Sequence, residues 1–193
     1  MIFYTMYKLL NINDICIYEH YLNDYDKMKI TKFVKKEDCL RAIGSIILQK
    51  EYIQSKKDNI YDLRQIVIQY TIYGKPYYDN LLYNVSHDCD YVIIVYSDRY
   101  DIGVDIMKHR SINMYTFYDY FSLHERSLIT NDTFIEFWCA KEAFVKAIGL
   151  GLNVDLKTVE YIDGNIHYNN KLYNVKFIDI VGYICAYVQI IKN

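Results

Sequence analysis

The 193-residue chain carries a formal net charge of −2, with 52% hydrophobic and 24% charged residues, a balance that suits one domain or two small ones around a sizeable core. A protein built to coat nucleic acid would show a clear positive excess, so that class is excluded, although a local basic pocket is not. Twenty-three tyrosines beside a single proline point to AT-rich coding DNA and to no particular function.

The five cysteines, Cys16, Cys39, Cys89, Cys139 and Cys185, are odd in number, widely spaced and without a CxxC pair. Free thiols in a reducing compartment are expected, not a disulfide framework or structural zinc. The N-terminus is apolar but has no basic lead and no small-residue cleavage site. The longest purely apolar run, 91–96, is far below the roughly 18 residues of a membrane span. A cytoplasmic protein with no membrane and no nucleic-acid partner is the expectation.

Residues 2–8 read as a strand. Over 36–54, Leu40, Ile43, Ile47 and Leu48 recur at helical spacing and predict an amphipathic helix, in which Gly44 costs some stability and marks close packing. The stretch 66–70 alternates as a strand, and Gly74-Lys75-Pro76 breaks it. Strands follow at 91–96 and 102–107, both short and rich in β-branched residues. Two helical stretches come next, 115–123 and 133–148. The second opens on Thr133 and Glu136 at capping-box spacing and stops at Gly149 and Gly151. Beyond Thr158 the chain reads as a β-meander, with turns at Asp163-Gly164 and Asn169-Asn170 and a long final strand over 181–191. No flexible linker marks the joint near residue 100. The expectation is an α+β architecture of two tightly packed lobes, 1–100 and 101–193, with a site between them.

Three constellations carry chemistry. In Trp138-Cys139-Ala140-Lys141-Glu142-Ala143-Phe144-Val145-Lys146, Glu142 and Lys146 share one helix face with Trp138 a turn earlier; by spacing alone this is an exposed ion pair beside a core tryptophan. Asp105, in Gly103-Val104-Asp105, is embedded in an apolar strand, where a carboxylate sits at a strand end or meets a cation. Gly74-Lys75-Pro76 with Asn84-Val85-Ser86-His87 offers groups for a phosphate and a base, or a hydrogen-bonded structural histidine.

Together and in this order, these segments resemble the 4′-phosphopantetheinyl transferase superfamily, in its two-lobed, surfactin-synthetase-activating class. The family's Trp-x-x-Lys-Glu-x-x-x-Lys signature is matched from Trp138 to Lys146, its Gly-(Val/Ile)-Asp strand at Gly103-Val104-Asp105, and its Gly-Lys-Pro turn and Asn-x-Ser-His segment at residues 74–76 and 84–87. Glu37, Asp38 and Arg41 match an acidic-then-Arg helix opening, and Gly149-Leu150-Gly151-Leu152 a glycine-rich helix exit. About 120 residues carry the resemblance.

The resemblance implies a monomer of two similar packed α/β lobes in pseudo-twofold relation, each a small, mainly antiparallel sheet with a long helix. It implies transfer of phosphopantetheine from coenzyme A to a serine of an apo acyl or peptidyl carrier protein, releasing 3′,5′-ADP. Asp105 and Glu142 would hold Mg²⁺ or Mn²⁺. Lys146 would lie against the phosphates, with Lys141 assisting. Glu142, or a water it orients, would take the serine proton. Lys75, Ser86 and His87 would line the nucleotide subsite, with Lys36 and Arg41 at the 3′-phosphate. The lysines at 27, 29, 32 and 35 would contribute there or form a solvated face. One position departs from the pattern: a glutamate two residues after the aspartate is here Met107, a soft, neutral thioether ill-suited to Mg²⁺. Residues 105 and 107 share a strand face, so Met107 is expected to look into the site. The alternative reading is therefore an impaired module that binds coenzyme A or a carrier protein without turnover.

Overall fold

The computed structural model describes residues 2–8, 18 and 21–191; Cys16 lies outside them. In chain order the elements are β1 (Ile2–Lys8), α1 (Asp24–Ile30), α2 (Lys36–Ser55), β2 (Gln69–Tyr70), β3 (Pro76–Tyr77), β4 (Leu82–Asp88), β5 (Tyr91–Ser97), β6 (Asp101–Lys108), α3 (Leu123–Leu128), α4 (Phe134–Ile148), β7 (Glu160–Ile162), β8 (Asn165–Tyr168), β9 (Lys171–Ile180) and β10 (Tyr183–Ile190). One antiparallel sheet has the order β1-β5-β4 and a second the order β6-β10-β9-β8-β7. This is the α+β arrangement expected, and the twofold likeness of its halves is visible in two sheets that each carry a long helix. No described helix is long and apolar enough to cross a membrane, and Cys39, Cys89, Cys139 and Cys185 are free thiols.

Strand β5 explains how the layers stack. Val92 and Ile94 point into the core shared with α2, whereas Ile93 and Val95 point into a second core with Ile102, Val104 and Ile106 of β6 and Ile178 of β9. A strand covered on both faces needs an unbroken apolar run instead of alternation. On the far side, Ala186 and Val188 of β10 meet Phe137, Ala140 and Phe144 of α4 in a third core. The layers are therefore helix, sheet, sheet, helix.

The two halves share a further device. Helix α1 opens on a capping box between Asn23 and Asp26, and α3 on one between Ser122 and Glu125. In each, the acid is also met by a buried lysine from the following long helix. Lys50 of α2 pairs with Asp26, and Lys141 of α4 donates to Glu125 Oε2 at 2.6 Å. Both lysines are at most 1% exposed.

Several expectations change. Thr133 makes no cap; its Oγ1 accepts from the Thr130 N–H, and Glu136 accepts from the Tyr161 hydroxyl. The helical stretch over 115–123 is a 3-10 segment (Met114–Tyr120) followed by the separate helix α3. The strand over 66–70 shrinks to β2, because the chain first turns through a 3-10 turn at Leu63–Gln65. The last strand begins at Tyr183, since Val181 and Gly182 form the turn joining β9 to β10, with Gly182 at φ +78°. The turns at Asp163-Gly164 and Asn169-Asn170 stand as read, with positive φ at all four residues, as two-residue hairpins require.

Candidate active site

The site is set by how closely α4 lies on β6. A Cβ at Gly103 would fall 2.1 Å from the Ala143 carbonyl oxygen and 2.3 Å from the Ala147 nitrogen, so only glycine lets the helix seat there. Cys139, Ala143 and Ala147, one turn apart and all buried, form the flat helix face against the sheet. Glu142 and Lys146, next to them around the helix, are left at the flank. There Lys146 Nζ donates to Asp105 Oδ1 at 2.6 Å and to Ser86 Oγ at 3.0 Å.

The opposite wall is β4. It belongs to the other sheet, and side chains join it to β6. Asn84 Oδ1 accepts from the Val104 N–H at 3.0 Å, Ser86 Oγ donates to Asp105 Oδ1 at 2.9 Å, and Asp88 Oδ2 accepts from the Lys108 N–H at 2.8 Å. Alternate residues of a strand share a face, so the polar stitching at 84, 86 and 88 is one row.

Between these walls and α2 lies a cavity of about 470 Å³. It is lined by Ser86, His87, Asp105, Glu142 and Lys146 from β4, β6 and α4, and by Lys29, Phe33, Ser45, Gln49, Tyr70 and Tyr73 from α1, α2, β2 and the loops beside them. Burial pushes the Glu142 carboxyl up; Lys146 opposes this and Asp105 adds to it. Burial pulls Lys146 down, but Asp105 and Glu142 overcome it and hold the ammonium above its ordinary value. His87 stands at the rim. The protein packed behind it, with Lys146 and Arg41 nearby, keeps its imidazole below its ordinary 6.5. Burial also lowers Lys29, whose Nζ lies 3.2 Å from the centre of the Tyr70 ring.

The structure thus brings Lys75, Ser86, His87, Asp105, Glu142 and Lys146 to one cavity. Lys75 also donates to the Ala147 carbonyl at 2.8 Å, a cation at the C-terminus of α4. Lys141 is a correction: it points to the far side of α4, buried on Glu125, and does not line the cavity. Lys36 and Arg41 do not line it either. Lys36 is exposed and Arg41 pairs with Asp38, because the helix turns residues 42, 45, 46 and 49 inward instead. Met107 packs against the apolar cluster around α4 and not into the cavity. Among the described residues no group of three or more His, Cys, Asp or Glu side chains is set to hold a metal; Asp105 and Glu142 remain a pair. Of the lysines at 27, 29, 32 and 35, Lys29 is the one that lines the cavity; Ser45 and Gln49 carry no signal in the sequence beyond their i, i+4 spacing.

Comparison with known proteins gives a consistent picture. A model described as "4'-phosphopantetheinyl transferase, N-terminal" matches residues 12–99, and one described as "4'-phosphopantetheinyl transferase superfamily" matches residues 101–186. The chain is 26% identical over 159 residues to a mouse L-aminoadipate-semialdehyde dehydrogenase-phosphopantetheinyl transferase, a match covering 70% of this chain and 51% of that protein. It is 32% identical over 140 residues to the 4'-phosphopantetheinyl transferase ffp of Bacillus subtilis, covering 66% of this chain and 60% of that one. With the gsp protein of Aneurinibacillus migulanus, also named a 4'-phosphopantetheinyl transferase, identity is 29% over 143 residues, covering 69% and 58%. The match spans about half the length of the animal relatives.

Proposed function

The chain belongs to the 4′-phosphopantetheinyl transferase superfamily, and from that premise we propose that it moves phosphopantetheine from coenzyme A to a serine of an acyl or peptidyl carrier protein. The observation that carries this reading is the wall where α4 seats on Gly103, which gathers Asp105, Glu142 and Lys146 in a cavity large enough for a nucleotide. In our reading residues 1–100 supply the nucleotide side, and residues 101–193 the metal-binding strand and catalytic helix. The enzyme acts as a cytoplasmic monomer.

A divalent cation suits the donor set. Asp105 and Glu142 are hard oxygen donors, and Asp105 raises the Glu142 carboxyl, a repulsion that a cation between them would relieve. When bound, Mg²⁺ would neutralise charge on the pyrophosphate of coenzyme A and on the departing 3′,5′-ADP. The protein's own groups do the rest. Lys146, kept protonated by Asp105, holds the phosphates as a point charge. Ser86 fixes the Asp105 carboxylate. Lys29 and His87 face the nucleotide, with Lys75 bracing the end of α4 beside them. Glu142, its carboxyl raised, takes the proton of the carrier serine. The serine oxygen then bonds to the β-phosphorus, the bond from that phosphorus to the bridging oxygen breaks, and 3′,5′-ADP leaves. Positioning and charge supply most of the acceleration in such a transfer.

The test is intact-mass spectrometry of an apo carrier protein incubated with this protein, coenzyme A and Mg²⁺. A gain of one phosphopantetheine, lost on chelation, is expected. No gain while the protein still binds coenzyme A in isothermal titration would favour the impaired module instead. No gain with several carriers and no binding of coenzyme A would overturn the transferase reading.

A further inference from the structure

Strand β6 is the edge of its sheet, with β10 on one side only. The backbone groups along its other edge turn to the first half of the chain, where three side chains answer them. Lys75 Nζ donates to the Ile102 carbonyl at 3.4 Å, Asn84 Oδ1 accepts from the Val104 N–H, and Asp88 Oδ2 accepts from the Lys108 N–H. Residues 102, 104 and 108 belong to one set of alternate positions, the set that a neighbouring strand would otherwise hold. Among the described residues no backbone hydrogen bond joins β4 to β6. The spacing of the two halves at the site is therefore set by side-chain length.

Asp105 lies inside this row of anchors, directly after the one that Asn84 makes. Asn84 is 3% exposed and Val104 0%, so solvent does not stand in for the amide oxygen. A buried N–H left without a partner is costly, and β6 escapes that cost only by shifting toward another acceptor. Ser86 is next in the row on β4, and its hydroxyl is engaged in holding Asp105 at 2.9 Å. Loss of the Asn84 acceptor thus disturbs the carboxylate that Ser86 and Lys146 grip, without altering either of them. We propose that Asn84 is a positioning residue for the transfer: by fixing the peptide before Asp105, it sets that carboxylate where Lys146 and Ser86 meet it. The inference rests on the transferase reading, in which Asp105 holds the cation.

Asn84 also lines the cavity, so two roles have to be told apart, placing Asp105 and touching substrate. Asn84→Leu removes the acceptor at similar volume. It should lower kcat about tenfold or more, as small misplacements of a reacting group do, and raise the Mg²⁺ needed for half-maximal rate. KM for coenzyme A should stay within about twofold. Hydrogen exchange followed by NMR gives a readout that needs no turnover: the Val104 amide should exchange about tenfold faster than in the wild type, with the β9–β10 ladder unchanged. Asn84→Asp keeps an acceptor oxygen in place and should restore slow exchange and most of kcat. If Asn84→Leu does not fold, Asn84→Gln, one methylene longer, should show the same loss of kcat at steady KM. A raised KM at wild-type kcat would make Asn84 a substrate contact, and a rate that only follows the melting temperature would make it structural. Either result overturns the assignment, as does wild-type exchange at Val104 in Asn84→Leu. If the wild type itself transfers nothing, the assignment falls together with the transferase reading.

Discussion

Glu142 works against the fold that holds it. Its carboxyl is raised above the ordinary 4.5 by burial first and by Asp105 as well, against the pull of Lys146. A carboxyl raised in the folded state binds its proton more tightly there than in the unfolded chain. It contributes nothing below the unfolded value, and opposes folding increasingly as pH rises from about 4.5 through the raised one. Glu142→Gln should therefore raise the melting temperature of the metal-free protein at pH 7, with the gap to wild type closing toward pH 4.5. The same variant should lower the transfer rate by about 100-fold or more, the range for loss of a general base. Thermal melts in chelator and a rate assay check the two halves separately; a variant that melts lower at pH 7 would refute the electrostatic account. Spacing made Asp105, Glu142 and Lys146 legible because chemistry ties them to one helix turn and one strand. Lys141 was assigned to the same phosphates, yet a residue beside Glu142 on a helix points elsewhere, and which neighbour turns inward depends on where α4 seats.

That seating belongs to the elements. At Gly103 the missing Cβ is the reason α4 and β6 meet backbone to backbone, with 2.1 Å left to the Ala143 oxygen. Gly103→Ala has no side-chain rotamer to adjust, so the helix itself must lift. The expected cost is about 3 kcal/mol or more, at the upper end for overpacking, and Lys146 should be drawn away from Asp105. Urea denaturation should give a lower midpoint with a substantial loss of activity in whatever folds; a stability within error of wild type would mean that the contact is loose in solution. The same physics explains which elements could be read. β5, β6, α2 and α4 bury apolar residues and declare themselves by composition or period. Helix α1 does not, because its one buried residue is Asp26, held by an ion pair, and a helix anchored by charge has no apolar stripe. Strand β4 shows in the sequence as a polar motif and not as a strand, because it buries Asn84 and Ser86 to stitch the sheets together.

At the scale of the molecule, two kinds of charge sit close together and do different work. Lys146 is 28% exposed on the cavity side of α4, while Lys141 is 1% exposed on the opposite side, locked to Glu125 at 0%. In the other half Lys50 is locked to Asp26 in the same way. Each lock ties a short capped helix to the long helix after it, and so fixes the walls that carry Lys29 on one side and Glu142 on the other. Removing one partner of such a pair strands a charge in the core and typically costs about 3–5 kcal/mol. Lys141→Met and Lys50→Met should each lose stability of that order. Lys141→Met combined with Glu125→Gln should recover much of it, because no unpaired charge then remains. Lys146→Met should lose less stability than either, because its pair with Asp105 is partly exposed and Ser86 still donates to that carboxylate, while transfer is strongly impaired. Chemical denaturation of the four proteins beside their transfer rates separates the two roles. Equal stability losses at Lys141 and Lys146 would mean that the charge at the cavity wall holds the fold as much as the buried one does.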